Sequence, residues 1–551
     1  MQIVIPMSGA GERFRRAGYT LPKPLIVVED KPIIAHVIDL FPGETNFVFV
    51  CNQDHLDNSE YGMAETLRKY CPTGKIVGVE GKKLGPIAAV LDAREHISLD
   101  EEVFVNYCDF TCYWDWEDFK SFVTEVRCDG AVPAYRGFHP HSIDSIYYAF
   151  MSEKGLWMQD IQEKKPFTNN PIDEFASSGG YYFRSGRICL EAFDAVVAQN
   201  LEVNGEFYVS LAYKILAQRG QRVAIYELQH FMQWGTPQDV AEYNVWSRNF
   251  RRILTMLPRT PVQEGTLLIP MAGLGMRFAE RGYAIPKPLL DLSGLPMVLQ
   301  AFYSLPEAAG AKFVLRGDMP GHAEIASMLQ EGVPGATITL LDSVTEGQAV
   351  TCAAGAEGLN DDIPMTIGAC DNGLIFDAAA LDALLSSDGP DLIVWTVRGH
   401  RPALSKPTSY GWVETDENGR VLAVRVKMKP EDASTAPMIV GAFTFRRIAD
   451  FRSAYKRLVE RDGRINGEFY VDSMVEDALA MGLDCRIFDV DCYLGWGTPN
   501  EYEAFRYWQS CFHKWSGHPY RIELDPMVPP DRRAAIAAAV ASVSPPRPSP
   551  H

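Results

Sequence analysis

The chain has 551 residues, of which 47% are hydrophobic and 22% charged, and a formal net charge of −19 at pH 7. This length exceeds what one hydrophobic core supports, so two or more domains are expected. The negative charge argues against nucleic acids and anionic membranes as partners, because both bind basic surfaces. The 11 cysteines include no CxxC pair, and we find neither a secretory signal nor an apolar run of about 20 residues. We therefore expect a cytoplasmic protein with reduced thiols.

The first half of the chain alternates predicted strands with predicted helices. Apolar residues recur at helical spacing around positions 33–41 and 87–91. Strands are predicted on either side of these helices, at Gln2–Pro6, Phe47–Cys51, Lys75–Val79 and Glu102–Tyr107. This alternation predicts an α/β fold with a mostly parallel sheet and helices on both faces.

Beyond Asp109 the predicted strands lie closer together. They are followed by a predicted helix at Leu211–Gln218 and a last strand at Arg222–Glu227. The closely spaced strands are Gly130–Arg136, Ser145–Phe150 and Gly179–Phe183. Their spacing predicts an antiparallel portion that faces a substrate.

The opening stretch of the chain occurs twice. Residues 3–25 read IVIPMSGAGERFRRAGYTLPKPL, and residues 267–289 read LLIPMAGLGMRFAERGYAIPKPL. The hexapeptide NGEFYV and the tetrapeptide WGTP also recur at nearly the same spacing. This repeat is far longer than a solenoid repeat and predicts a domain duplication. The predicted boundaries are an N-terminal domain at 1–250, a linker at 251–265, a C-terminal domain at 266–515 and a partly disordered tail at 516–551.

Each copy of the stretch contains a small-residue loop after a strand. The loops are Gly9-Ala10-Gly11 and Gly273-Leu274-Gly275. Such a loop lets backbone N–H groups converge on an anion. It is not a Walker loop, since GxxxxGK[ST] is absent, and it is not the dinucleotide fingerprint, since phenylalanine stands at the third glycine position. We interpret it as a phosphate loop of a different kind.

Cationic and acidic side chains accompany each loop. Arg13 and Arg277 can form paired hydrogen bonds to phosphate oxygens, and Lys23 and Lys287 are held between prolines. Asp109 and Asp371 follow buried-looking strands. Ligands of parallel sheets bind at the carboxyl ends of strands, and a carboxylate there suits Mg²⁺.

In combination these motifs resemble the sugar-nucleotide pyrophosphorylases, which join a nucleoside triphosphate to a sugar 1-phosphate. The resemblance covers nearly all of residues 1–245 and 266–510. It implies two tandem Rossmann-like nucleotidyltransferase domains related to the glycosyltransferase-A fold, each with a mostly parallel mixed sheet flanked by helices. It also implies Mg²⁺ as cofactor, release of pyrophosphate, and a product used for capsule or other surface polysaccharide. A homo-oligomer is left open.

The resemblance also implies roles for individual residues of this chain. The catalytic cations are Arg13, Lys23, Arg277 and Lys287. The nucleotide-binding residues are Gly9, Ala10, Gly11, Gly85, Gly273, Leu274, Gly275, Gly347 and Gln348. The acceptor-binding residues are Lys164 or Lys165, Gly179, Glu206, Lys427 or Lys429, Gly441 and Glu468. The metal ligands are Asp109 and Asp371.

The chain departs from this family pattern in one way that bears on the metal. The family commonly has a second metal-binding Asp two residues before the glycine of the late turn, where this chain has Gln233 and Gly495. Either one aspartate serves alone, or a carboxylate from elsewhere, such as Glu206 or Glu468, takes part.

Several alternatives remain open at this point. The residues around the two loops differ, so the halves are expected to differ in substrate, or one half has lost activity. The acceptor is a sugar 1-phosphate or a non-sugar phosphate such as phosphocholine, which would give a cytidylyltransferase. A glycosyltransferase of the related fold is a further alternative.

Overall fold

The computed structural model describes residues 1–143, 145–256, 263–386 and 388–542. The chain divides into two compact units. Unit 1 consists of Met1–Arg248, Tyr507–Pro519 and a segment that starts at Ala538, and unit 2 consists of Asn249–Arg506 and Tyr520–Ala537. Each unit is a mixed α/β structure.

Unit 1 is built on one mixed sheet. In hydrogen-bonded order its strands are Phe175–Ser177, Ala149–Lys154, Trp157–Glu163, Val223–Glu227, Gly130–Tyr135, Gly180–Phe183, Val103–Asn106, Gln2–Met7, Phe47–Asn52 and Lys75–Val79. The strand Gln2–Met7 pairs in parallel with both of its neighbours, and Gly180–Phe183 pairs antiparallel with both of its own. The alternating segment of the sequence forms parallel pairs, and the segment beyond Asp109 forms the antiparallel pairs. The predicted antiparallel portion is wrong at one place, because Val223–Glu227 pairs in parallel with Gly130–Tyr135.

Helices and short strand pairs complete unit 1. The α-helices are Glu12–Arg16, Ile33–Ile38, Gln53–Asp57, Met63–Tyr70, Pro86–Asp92, Trp116–Val126, Gly186–Ala198, Ser210–Gln218 and Pro237–Ile253. Short 3-10 turns lie at Lys23–Leu25, Arg94–His96, Pro140–Ser142 and Pro171–Asp173. Two-stranded pairs join Phe110–Tyr113 to His230–Gln233 and Val27–Val28 to Lys31–Pro32.

One strand of unit 1 differs from its prediction. The apolar run from Ser145 to Phe150 predicted a strand there, but the strand spans Ala149–Lys154 and pairs with Trp157–Glu163. Gly155, with φ 61°, forms the turn between them. The tyrosines at positions 147 and 148 precede the strand and line a cavity instead.

Unit 2 is also built on a mixed sheet. In hydrogen-bonded order its strands are Thr337–Leu341, Ala308–Arg316, Gln263–Pro270, Met365–Ile367, Met438–Phe445, Leu392–Val397 and Cys485–Asp489, and Gly411–Thr415 pairs with both Val421–Val426 and Met438–Phe445. Two-stranded pairs join Asn372–Ile375 to Cys492–Gly495 and Asp291–Leu292 to Leu295–Pro296. The strand that leads into the second glycine loop has parallel neighbours on both sides, as does its counterpart in unit 1.

Helices also connect the strands of unit 2. The α-helices are Met276–Glu280, Met297–Tyr303, His322–Gly332, Gln348–Ala356, Ala378–Leu384, Arg401–Ser405, Ile448–Glu460 and Val471–Ala480. Two further helices, Pro499–Lys514 and Arg533–Ser542, begin in unit 2 and end in the segments of unit 1 that start at Tyr507 and Ala538. Short 3-10 turns lie at Lys287–Leu289, Pro407–Ser409 and Ile522–Leu524. In the part of the chain that the structure describes, no helix is long and apolar enough to cross a membrane.

The ends of both units differ from the predicted boundaries. In unit 1, Trp508 and Phe512 pack on Tyr243, and Trp515 packs on Trp234, so residues 507–519 do not belong with 266–506. In unit 2, Tyr520 is buried against Phe250. Residues 520–537 are therefore part of unit 2 rather than of a tail.

The two segments predicted to lack structure were a linker at 251–265 and a tail at 516–551. Helix Pro237–Ile253 and strand Gln263–Pro270 enter the predicted linker from both sides, and residues 257–262 lie outside the described residues. Residues 543–551 of the predicted tail also lie outside them.

Candidate functional site

A cavity of about 510 Å³ lies in unit 1 beyond the carboxyl end of the strand Gln2–Met7. Its walls contain most of the residues of the first half of the chain for which a role was predicted. These are Gly9, Ala10, Gly11, Arg13, Lys23, Gly85, Asp109, Lys164, Gly179 and Glu206. Residues from seven separated stretches of sequence therefore meet around one space.

The glycine loop forms one wall of this cavity. The strand Gln2–Met7 is buried along its whole length, and the chain leaves it to reach the helix Glu12–Arg16. Gly11 has φ 63° and Gly275, at the same place in unit 2, has φ 64°. This left-handed conformation is strained for residues with a side chain, so glycine is favoured at both positions.

Arg13 lines the cavity without a carboxylate partner. Among the described residues no Asp or Glu oxygen lies within 4 Å of its guanidinium, and the guanidinium carbon lies 6.0 Å from the ring centroid of Tyr147. Arg277 occupies the same place after the second loop and is likewise unpaired within the described part of unit 2. An unpaired guanidinium beside a glycine loop is suited to bind a phosphate.

Lys23 and Asp109 form an ion pair in the cavity wall. Their Nζ and Oδ2 atoms are 2.8 Å apart, and each side chain is 25% exposed. Burial by itself would lower the pKa of Lys23, but the adjacent carboxylate of Asp109 raises that pKa above its usual range. The lysine is therefore positively charged at neutral pH.

The same ion pair is present in unit 2. Lys287 contacts the carboxylate of Asp371, and its Nζ also donates to the carbonyl oxygen of Gly497 at 3.1 Å. Burial opposes the charge of Lys287 as well, and Asp371 again raises the pKa above its ordinary value. Both units thus hold one cation and one carboxylate together beside a glycine loop.

Gly85 packs against the backbone of the NGEFYV segment. A Cβ atom at Gly85 would lie 2.7 Å from the amide nitrogen of Phe207, and one at Gly347 would lie 2.6 Å from that of Phe469. Both glycines also have positive φ, at 89° and 124°. Only glycine allows these two segments to approach, which fixes the entry to the helices that begin at positions 86 and 348.

This packing predicts opposite effects for two alanine substitutions in the cavity wall. Gly85→Ala is expected to destabilise unit 1 by about 2 kcal/mol or more, because backbone atoms cannot make room for the methyl group. Gly9→Ala is expected to leave stability unchanged, because nothing lies within 4 Å of a Cβ there, but to weaken nucleotide binding by blocking close approach to the loop backbone. Urea denaturation and nucleotide titration of both variants separate the two effects, and a stable Gly85→Ala variant would contradict the packing argument.

The structure separates the alternatives left open for the acceptor lysine. Lys164 lines the cavity and has φ 56°, and its Nζ donates to Tyr208 Oη at 2.5 Å. Tyr208 in turn hydrogen-bonds Glu206. Lys165 is exposed and is not part of the cavity wall.

The corresponding residues of unit 2 repeat this arrangement in part. Lys427 has φ 55° and is half-buried, whereas Lys429 is exposed. Glu468 hydrogen-bonds Tyr470, as Glu206 does Tyr208. Gly441 lies in a strand with φ 77°.

Neither Gln233 nor Gly495 supplies the carboxylate that the family pattern places there, but an acid lies close by in each unit. Gln233 Nε2 donates to Asp239 at 2.9 Å, and Thr236 donates to the same oxygen through its amide at 2.7 Å and its hydroxyl at 2.6 Å. Asp239 thus closes a capping box at the start of its helix. Burial, opposed by these donors, raises its pKa, and the negative charge of Asp109 adds to the rise.

The acid of unit 2 is one methylene longer. Glu501 accepts from the amide and hydroxyl of Thr498, both at 2.9 Å. A Cβ at Gly495 would lie 3.1 Å from its second oxygen, so the longer acid uses space that Gln233 fills in unit 1. The paired sequences TPQD and TPNE could have indicated both acids, because they share a register and match a capping box.

A carboxylate beside Lys164 also lines the cavity without having been predicted. Glu163 precedes Lys164 and accepts from Ser210 Oγ at 2.7 Å. Burial raises the pKa of Glu163, and the hydroxyl of Ser210 opposes that rise. Further residues of the wall without a predicted role are Glu12, Lys82, Lys83, Tyr107, Tyr148 and Thr236.

Comparison with known proteins gives a family match for the N-terminal part of the chain. Residues 3–164 match the family described as MobA-like NTP transferase domain. Mannose-1-phosphate guanyltransferase beta-B of Xenopus laevis is 25% identical over 244 residues, which is 43% of this chain and 62% of that protein. Mannose-1-phosphate guanylyltransferase of Mycobacterium tuberculosis is 27% identical over 247 residues, again 43% and 62%.

These alignments leave more than half of this chain unmatched, and the chain spans 62% of the length of these two relatives. Among solved structures, the nucleoside-diphosphate-sugar pyrophosphorylase from Vibrio cholerae RC9 is similar with a TM-score of 0.36 and 20% identity, over 43% of this chain and 98% of that chain.

Proposed function

We propose that this chain, which belongs to the sugar-nucleotide nucleotidyltransferase family, transfers a nucleoside monophosphate from an NTP to a sugar 1-phosphate. The observation that carries the proposal is the arrangement around the unit 1 cavity. A glycine loop, an unpaired Arg13 and the Lys23–Asp109 pair face the same space as Lys164. Such a site offers separate cations to two phosphate-bearing substrates.

The reaction requires positioning and charge neutralisation more than acid–base catalysis. A phosphate monoester has a second pKa near 6, so its oxygen is already an anion at neutral pH. That oxygen forms a bond to the α-phosphorus of the NTP while the bond from the α-phosphorus to the β-phosphate oxygen breaks, and pyrophosphate leaves with the bonding electrons. In the proposal Arg13 and Lys23 neutralise the charge that develops on the triphosphate, and Lys164 holds the acceptor phosphate.

The residues of the cavity fit Mg²⁺ as a partner shared with substrate. Within the described residues no group of three or more His, Cys, Asp or Glu side chains could hold a metal by itself. Mg²⁺, however, is usually bound by one or two carboxylates together with substrate phosphates. Asp109 in unit 1 and Asp371 in unit 2 would supply such a carboxylate, and bound Mg²⁺ would reduce the negative charge of the phosphates.

We extend the proposal to unit 2, because its loop, its unpaired arginine and its lysine–aspartate pair repeat those of unit 1. Two nucleotidyltransferase sites in tandem would then supply one or two nucleotide sugars. Nucleotide sugars are the activated donors from which polysaccharides are made, and we propose that the product serves polysaccharide synthesis.

A pyrophosphate-release screen on the full chain tests this function. We expect release only when an NTP and a sugar 1-phosphate are both present, and the names of the relatives make GTP with mannose 1-phosphate the first pair to test. Pyrophosphate release with CTP and a phosphocholine-like acceptor would instead indicate a cytidylyltransferase that acts on a non-sugar phosphate. Absence of release with every NTP and every phosphate acceptor would contradict the proposal.

A further inference from the structure

The two units differ in one loop beside the phosphate loop. In unit 1 the segment 80–86 reads EGKKLGP, and in unit 2 the segment 342–348 reads DSVTEGQ. Each segment connects a strand of the parallel part to a helix that starts after a glycine of positive φ. Because the lengths are equal, Lys82 and Lys83 correspond to Val344 and Thr345.

Both lysines lie in the wall of the unit 1 cavity. The side chain of Lys82 is 43% exposed and that of Lys83 is 73% exposed, so both can reorient toward a ligand. Lys83 contacts Glu12, the residue that follows the glycine loop. Lys83 is therefore placed on the side of the cavity where the glycine loop lies, whereas Lys82 pairs with Asp92 at 3.2 Å and with Glu80 at 3.7 Å.

The contact between Lys83 and Glu12 has no counterpart in unit 2. Met276 stands at the position of Glu12, and Thr345 stands at the position of Lys83. Met276 is 56% exposed and Val344 is 52% exposed. Both partners of the ion pair have thus been replaced together, and unit 2 presents apolar and neutral side chains where unit 1 presents two cations.

An NTP carries most of its negative charge on its terminal phosphates. In unit 1, Lys23 is already paired with Asp109, and the ammonium of Lys164 is engaged by Tyr208. Arg13 and Lys23 together therefore carry less positive charge than the negative charge of a triphosphate. Two exposed lysines of the cavity wall add positive charge at low cost, because their present partners are surface carboxylates: Glu80 and Asp92 for Lys82, and Glu12 for Lys83.

We infer that Lys82 and Lys83 form a subsite in unit 1 for the terminal phosphates of the NTP, the group that leaves as pyrophosphate, and that unit 2 lacks this subsite. The inference builds on the proposed function and deepens it. In the absence of nucleotide, Glu12 holds Lys83 beside the loop, and the phosphates replace Glu12 as its partner. Unit 1 is accordingly the unit that binds NTP and pyrophosphate more tightly.

Calorimetric titration of inorganic pyrophosphate into the full chain tests the subsite. An Arg277→Ala background removes the arginine contribution of unit 2. In that background Lys82→Met/Lys83→Met is expected to raise the Kd for pyrophosphate about tenfold at low salt, and less at high salt because exposed charges are screened. The matched control is Lys31→Met/Lys154→Met, which removes two exposed lysines of unit 1 that are not part of the cavity wall and is expected to leave the Kd unchanged.

Two further variants make the test independent of folding. Glu12→Gln frees Lys83 and is expected to tighten pyrophosphate binding severalfold. In an Arg13→Ala background, Val344→Lys/Thr345→Lys is expected to strengthen binding to unit 2. An unchanged Kd in the Lys82→Met/Lys83→Met variant, with circular dichroism showing a folded protein, overturns the inference.

The failure of this inference can be told from the failure of the proposed function. Pyrophosphate binding is measured without sugar phosphate and without turnover, so its dependence on the lysines can hold even if no acceptor reacts. Turnover of an NTP and a sugar phosphate with an unchanged KM for NTP in the lysine variant would instead keep the function and reject the subsite.

Discussion

Arg13→Ala is expected to reduce nucleotidyl transfer by unit 1 about 100-fold to 1000-fold. Arg13 lines the cavity and has no carboxylate partner in the part of the chain that the structure describes, so its charge is available to substrate. A preorganised cation that faces developing charge contributes on this scale in other enzymes. The loss is expected mainly in kcat, because the charge on the leaving pyrophosphate grows toward the transition state.

The matched control for this variant is Arg16→Ala. Arg16 belongs to the same short helix, but its side chain is 83% exposed and lies outside the cavity wall, so its removal is expected to leave the rate unchanged. Arg277→Ala reports on unit 2 in the same assay. Loss of activity in only one of the two arginine variants would mark the other unit as inactive, and full activity in both would refute the assignment of the site.

The inner strands of the parallel part of unit 1 could be predicted from the sequence because they are buried on both faces. Such strands are continuous apolar runs, and the predicted Gln2–Pro6 and Phe47–Cys51 match the observed strands to within one residue. The antiparallel part was less predictable. The run from Ser145 to Phe150 has the apolar composition of a strand, but its tyrosines face the cavity, and the strand starts four residues later.

The predicted domain ends differ from the observed ones for a related reason. Aromatic residues at helical spacing in 507–515 indicate that this segment is buried. They do not indicate which of the two cores buries the segment. The contacts of Trp508 and Trp515 with Tyr243 and Trp234 assign the segment to unit 1, and spacing along the chain carries no signal for such an exchange.

The candidate site could be predicted where short motifs fix the chemistry. The glycine loop, Arg13 and Lys23 lie within 15 residues of sequence, and the structure places all of them in one cavity wall. The choice between Lys164 and Lys165 could not be predicted, because adjacent lysines look alike in sequence and only the fold places Lys164 in the cavity wall. Lys83 could not be assigned to the cavity from the sequence either, because its contact with Glu12 joins residues 71 positions apart.

Asp109→Asn is expected to abolish nucleotidyl transfer by unit 1 while leaving the fold intact. The substitution keeps the shape of the side chain, but it removes the negative charge that pairs with Lys23 at 2.8 Å and that would bind Mg²⁺, which prefers carboxylate oxygens. An additional effect is expected on Lys23, whose pKa falls when the carboxylate is lost, because Asp109 is the main group that opposes the effect of burial. Electron paramagnetic resonance of Mn²⁺ in the presence of NTP checks the ligand role without relying on turnover.

The control and the counterpart of this variant decide between a metal ligand and a partner of the lysine. Asp194→Asn removes a carboxylate of unit 1 that pairs with Arg94 on the surface, and neither Mn²⁺ binding nor activity is expected to change. If Asp109 only positions Lys23, Asp109→Asn lowers the rate but leaves the Mn²⁺ signal unaltered. If Asp109 is a ligand, the signal of protein-bound Mn²⁺ weakens in Asp109→Asn. Asp371→Asn then weakens the remaining bound-Mn²⁺ signal, which comes from unit 2. The strand-end aspartates Asp109 and Asp371 are the same residue type in both units, but the nearby acids Asp239 and Glu501 differ in length. Unequal losses of bound Mn²⁺ in the two units would therefore be attributed to Asp239 and Glu501.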